Sequence, residues 1–142
     1  MAYDQQNVFA KILRGELPCL KLHEDALTLS FMDIMPQSDG HVLVIPKEAA
    51  ETLLDLSEES LLACMRVVHR MSRCVKKAMN SDGVMLAQLS GAAAGQTVPH
   101  VHFHIVPRYA GEPMRMHAVV QEDPEKLKQF AAQITAVLDS ER

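Results

Sequence analysis

Between positions 100 and 106 the chain alternates imidazole and apolar side chains: His100, Val101, His102, Phe103, His104, Ile105, Val106. A period of two belongs to an extended strand, whose successive side chains point to opposite faces. The segment is therefore predicted to be a strand with Val101, Phe103 and Ile105 on a core face. His100, His102 and His104 take the other face. That face needs a cleft, water or polar partners, because buried unpartnered imidazoles are costly.

Other apolar runs supply neighbours for this strand. Residues 20–23 and 27–32 read as strands around the turn Glu24-Asp25-Ala26, residues 41–45 as a third strand closed by Pro46, and residues 84–89 as a fourth after Asp82-Gly83. Asn7 is predicted to cap a short helix over 8–14, with Val8, Phe9, Ile12 and Leu13 on one face and Gly15 as its stop. Ser57 opens the longest helix, which is expected to run to about residue 80. Its first turn carries Glu58 and Glu59 and its last Lys76 and Lys77, as the helix dipole favours. Leu61, Leu62, Met65, Val68, Met71, Val75 and Met79 recur at steps of three and four, so one face lies on the sheet. Val67 and Cys64 fall outside that stripe and suggest a second buried face, hence a symmetric homodimer. Asp123 caps, and Pro124 opens, a last helix to about residue 138. Short turns between strands, with helices inserted between and after them, predict an α+β domain built on an antiparallel sheet. The 142 residues suit one domain, and there is no repeat or linker.

The formal charge is −4. Nucleic acid and anionic membranes are poor partners for such a chain, and any phosphate site must be built locally. MAYDQQNVF carries neither a basic segment nor a long apolar run, so no signal peptide is expected. No run approaches the ~18 apolar residues of a membrane span. The three cysteines, Cys19, Cys64 and Cys74, form no CxxC pair. On one helix, Cys64 and Cys74 would lie ~15 Å apart, too far for a disulfide. Idle thiols point to a reducing, cytoplasmic compartment.

Three chemistries compete for the imidazole row. It could be the polar face of a half-buried strand. It could chelate a metal, with His41 as a further ligand. However, neighbours on one face are ~6.6 Å apart and the outer two ~13 Å, against a zinc–nitrogen bond of ~2.1 Å, so three histidines converge only with strong distortion. The third is phosphoryl or nucleotidyl transfer. A neutral imidazole attacks phosphorus directly, and a neighbouring imidazole can protonate what leaves. The turn from Gly91 to Gly95 lets backbone N–H groups approach phosphate oxygens, and Thr97 adds a hydroxyl. Only this third chemistry uses both the imidazoles and the glycine turn.

With these residues in view the sequence resembles the histidine triad (HIT) family. The carrying motif is His100-Val101-His102-Phe103-His104-Ile105 after Gly95-Gln96-Thr97-Val98, supported by Phe31-Met32-Asp33-Ile34-Met35-Pro36-Gln37 and Gly40-His41-Val42-Leu43-Val44-Ile45-Pro46-Lys47. The resemblance covers residues 7–108 and leaves 109–142 as a C-terminal extension with a helix. It implies a two-layer α+β fold with one long and two shorter helices, dimerising through the long helix and a neighbouring strand. It implies a cytoplasmic hydrolase or transferase for purine nucleotides, needing no cofactor, with 5'-phosphoramidates as substrates. A dinucleoside polyphosphate hydrolase is the alternative enzyme; a nucleotide-binding regulatory protein and a metal-binding protein are the alternatives outside catalysis. By the resemblance, His102 is the nucleophile, His104 contacts phosphate and assists proton transfer, and His100 orients His102. His41 completes the cluster, Asp33 accepts ribose hydroxyls, and Gly95, Gln96, Thr97 and Ser90 serve phosphate or leaving group. The chain departs from many relatives at Leu89-Ser90, where an Asn pair or Asn-Glu is common. It also lacks the cysteine pair of bacterial relatives that hold a structural zinc, so no metal is expected.

Overall fold

In the computed structural model, which describes residues 2–141, five antiparallel strands form one sheet in the order β1-β2-β3-β5-β4. The strands are β1 (Lys21–Glu24), β2 (Thr28–Met32), β3 (Val42–Pro46), β4 (Gly83–Ala87) and β5 (Phe103–Arg108); α1 (Val8–Leu13), α2 (Glu58–Met79) and α3 (Pro124–Ser140) complete the α+β fold. All the elements expected from the sequence are present. The largest shift is in β5, which begins at Phe103 and not at His100, leaving His100 to His102 as an approach segment. A short 3-10 turn, Ala92–Ala94, sits within the glycine loop.

Both faces of the sheet are covered. On one side α2 and α3 pack against Met32, Val42, Val44, Val101, Phe103 and Ile105, with Met71, Val75, Ile134 and Leu138 inside the same cluster. On the other, α1 brings Phe9 onto Leu29, Phe31, Leu43 and Ile45. The pairing Leu43↔His104 puts that imidazole on the α1 side, while Val101, Phe103 and Ile105 join the α2 side as their alternation requires.

The caps follow the sequence. The side chains of Asn7, Ser57 and Asp123 accept from Ala10 N, Ser60 N and Glu125 N. Asn80 ends α2 in the left-handed region at φ 50°. Cys64 and Val67 are buried within the chain's own core, so they present no free face to a partner copy. The cysteines are unpaired, and burial pushes Cys64 up to about 12 and Cys74 up to about 11, far from a reactive thiolate. No helix among the described residues is long and apolar enough to cross a membrane.

Candidate active site

The hairpin from β2 to β3 and the approach to β5 converge on one group of imidazoles. Asp33 follows β2 and His41 precedes β3, and the Asp33 N–H donates to the His41 carbonyl at 3.0 Å. The turn between them needs Gly40, which has φ +90° and whose added Cβ would lie 2.6 Å from Met79 Cγ. His102 and His104 line a cavity of about 330 Å³, large enough for a small ligand, between α1, the ends of β2 and β3, and the segment after β5. Its apolar half is Val8, Ile12, Leu17, Phe31 and Ile34; its polar end is Asp33, Thr97, His102, His104 and His117. A larger hollow of about 580 Å³ near Asp82 and Arg108 opens to solvent away from the imidazoles.

Hydrogen-bond partners assign the tautomers. The Gln37 N–H donates to His41 Nδ1 at 3.0 Å, so His41 carries its proton on Nε2. That N–H donates to His104 Nδ1 at 3.0 Å, with Asp33 Oδ2 close by at 3.4 Å. His104 therefore keeps its own proton on Nε2, a buried atom with no partner among the described residues. It is a donor left for a ligand. His102 runs the opposite way: its Nδ1–H donates to the His100 carbonyl at 2.7 Å, leaving the lone pair on Nε2. Phe9 stacks edge-on against the His102 ring at 5.0 Å and holds its plane.

His100 sits elsewhere. Its ring is fully buried, donating from Nε2 to the Pro46 carbonyl at 2.9 Å and accepting on Nδ1 from the Tyr3 hydroxyl. It therefore bears on His102 through its carbonyl and not through its imidazole. The three histidines are buried as deeply as the apolar row, and polar partners, not solvent, satisfy most of their nitrogens.

Burial lowers the pKa of His102 and pushes His104 down to about 2 and His41 to about 3; neighbouring imidazoles add to the last two. Burial raises Asp33, partly offset by its bond from Met35 N at 2.8 Å. The imidazoles of His41, His102 and His104 are thus held neutral at pH 7. Asp33, His41 and His104 offer ligand atoms within 4.8 Å of one another. The relay Gln37→His41→His104 already uses three of the four ring nitrogens of His41 and His104, so this set is not organised for a metal.

The glycine loop differs from the sequence expectation. The Gly91 N–H donates to Gln96 Oε1 at 2.7 Å, and the Gly95 N–H to the Ala92 carbonyl at 3.0 Å. Their amides are spent within the loop. Gln96 also donates to the carbonyls of Glu51 and Val98, and Ser90 accepts from Leu53 N at 3.1 Å while donating to Gln88 Oε1. Both residues fasten the loop and neither lines the cavity. Leu89, in place of a polar residue, lies 3.3 Å from where a Cβ on Gly95 would stand. Thr97 and Val98 of this stretch join His102 at the cavity wall. Three cavity or support residues carried no sequence signal: Tyr3, Phe9 as a support for His102, and His117.

An antiparallel five-stranded sheet thus presents neutral imidazoles of opposite tautomer beside an apolar slot, a buried histidine-cluster site. The HIT domain family model matches residues 14–111. The adenosine 5'-monophosphoramidase hnt1 of Schizosaccharomyces pombe is 46% identical over 101 residues, 71% of this chain and 73% of that protein. The adenylylsulfatase HINT3 of Arabidopsis thaliana is 40% identical over 135 residues, 91% of this chain and 66% of that protein. The crystal structure of a Hit-like protein from Bartonella henselae, with an unknown ligand, superposes with TM-score 0.90 at 42% identity, covering 96% of this chain and 99% of that one. The chain belongs to the HIT family.

Proposed function

We propose that the protein hydrolyses nucleoside 5'-phosphoramidates or similar AMP-linked substrates through a nucleotidyl group carried on His102. The observation that carries this reading is the pair of opposed tautomers. His102 has an Nε2 lone pair to attack phosphorus, and its Nδ1–H bond to the His100 carbonyl stabilises the charge that forms on the ring. His104, held neutral, offers an Nε2–H to a phosphate oxygen, and His41 fixes the tautomer that makes this possible. Asp33, at the polar end of the cavity, would accept ribose hydroxyls, and the slot between Ile12, Phe31 and Ile34 suits a purine. The two relatives named for reactions on adenylyl compounds support the same chemistry.

His102 Nε2 attacks phosphorus as the P–N bond breaks and the amine leaves with an added proton, giving a phosphorus–His102 bond; water then attacks phosphorus, gives up a proton and returns the electron pair to Nε2, releasing AMP. A homodimer in the cytoplasm is part of this proposal. Its support is the edge strand β4, where Leu86 is 46% exposed, and Leu62 of α2 at 49%. The test is incubation with a panel of AMP-amine, adenylylsulfate and dinucleoside polyphosphate substrates. Release of AMP from the amines at the highest kcat/KM is expected, and faster cleavage of dinucleotides would reassign the substrate.

A further inference from the structure

A third imidazole lines the cavity beside His102 and His104, and it comes from outside residues 14–111, the part matched by the family model. His117 lies 4.8 Å from the His104 ring, edge-on at 87°, and 6.3 Å from the His41 ring. It lines the cavity together with Ala118, whose φ of 57° turns the chain there. The segment carrying it is fastened at both ends to the loop between β2 and β3. The Arg115 N–H donates to the Gln37 carbonyl and the Glu122 N–H to the Ile34 carbonyl, each at 2.8 Å. The Arg115 guanidinium adds Asp39 at 2.7 Å and Glu122 at 3.3 Å. Two backbone bonds and an ion-pair cluster thus carry one imidazole over the site.

The proposed reaction leaves a requirement that the buried histidines do not meet. An amine departing from phosphorus needs a proton, because an amide anion is a very poor leaving group. His104 is neutral, with its one proton on Nε2 and its Nδ1 occupied by His41, so it can donate a hydrogen bond but has no second proton to release. His41 is closed between Gln37, His104 and Asp33. His102 is the group that bonds to phosphorus. His117 alone among the cavity imidazoles is half-buried, so it can exchange protons with water while facing a bound phosphate.

We propose that His117 is the catalytic acid that protonates the leaving amine, and that the strap between Arg115 and Glu122 holds it there; this rests on the phosphoramidate reading above. As His102 Nε2 bonds to phosphorus, the P–N electron pair goes to nitrogen, which takes a proton from the His117 imidazolium. Free amine and neutral His117 result. In the second half, neutral His117 takes the proton of the attacking water, the phosphorus–His102 bond breaks, and AMP leaves with His117 again an imidazolium. The titratable and charged groups that face or flank it are Asp33 after β2, His41 before β3, His102 and His104 at β5, and Asp39, Arg115, Glu122 and Lys126 around the strap.

The test compares two leaving groups on one preparation, so the ratio is independent of the folded fraction. The probes are an AMP alkylamide, whose amine needs a proton, and adenosine 5'-(4-nitrophenyl phosphate), whose phenolate leaves without one. His117→Ala and His117→Gln should each lower the single-turnover rate of amine release from the alkylamide by about 10²-fold or more and that of nitrophenolate release from the aryl ester by less than about tenfold. Equal losses on both substrates, or an unaltered rate on the alkylamide, would overturn the role of His117 while leaving the nucleotide reading intact. A wild-type protein inert toward both would overturn both proposals.

Discussion

The two faces of the sheet are built from the same strands and do opposite work. On the α2 side Val101, Phe103 and Ile105 belong to one apolar cluster, and Met71, Val75, Ile134 and Leu138 close the layer without exposure. On the α1 side the intervening residues His102 and His104 are as deeply buried, yet their neighbours are polar atoms of fixed direction and a cavity. One side is held by filling space, the other by assigning each proton. Burial therefore serves stability on one face and neutral, directed nitrogen atoms on the other.

That contrast can be broken one side at a time. His102→Ala should lower kcat/KM by more than about 10³-fold, since covalent catalysis is lost along with a site contact, while thermal unfolding changes little. Ile105→Ala, one residue from His104 but on the other face, should cost about 2–5 kcal/mol of stability in denaturant titration and leave the kcat of the folded fraction near normal. Loss of activity from Ile105→Ala without loss of stability would contradict the division.

Acid should separate the faces too. His41 and His104 have folded pKa values of about 3 and about 2, far below the unfolded imidazole at about 6.5. Between those values the unfolded chain binds protons that the folded chain refuses, so stability is lost as pH falls below about 6.5. The loss approaches about 1.4 kcal/mol per pH unit for each of the two imidazoles. Burial raises Asp33, which works the other way: its protonation relieves a buried charge as the solution turns acid. Urea midpoints measured from pH 7.5 to 5 should fall steeply, and His41→Asn should flatten the slope. A midpoint constant over that range would show that the imidazoles are not held neutral.

Smaller effects sharpen the picture at its edge. Tyr3→Phe removes one hydrogen bond to His100 and leaves Nδ1 unpaired, so unfolding should be easier by about 1–3 kcal/mol, with a modest fall in kcat. The smallest change of all is expected from chelators. His100 is committed to Tyr3 and Pro46, and His41 and His104 to each other, so activity should survive chelation and elemental analysis should find no stoichiometric zinc. One equivalent of zinc, with turnover lost on its removal, would overturn that assignment.

The difference between the faces also divides what the sequence disclosed. Periodicity and caps are local, and they placed the three helices and the five strands, because a strand of period two and an Asn, Ser or Asp cap are each decided within a few residues. The burial of His100 was not local. The alternating pattern suggested a strand from position 100, but pairing starts at Phe103, since the preceding residues turn to reach the Ala50 and Pro46 carbonyls. The inner bonding of the glycine loop was not local either, because nothing in the order Gly95-Gln96-Thr97 says that the Gln96 amide will close the loop on Gly91. His117 lay in a stretch without periodicity, and its arrival at the site depends on Arg115 meeting the Gln37 carbonyl across the fold.

The central claim is that the α1 face carries a nucleophilic nitrogen on His102. Rapid quench of the protein with an adenosine 5'-phosphoramidate labelled at the α-phosphate, followed by peptide mapping of the acid-labile adduct, addresses it most directly. The account predicts label on the peptide containing His102, formed before AMP appears and missing from His102→Ala. Label on another residue, or a His102→Ala protein that keeps near-normal turnover, would contradict it.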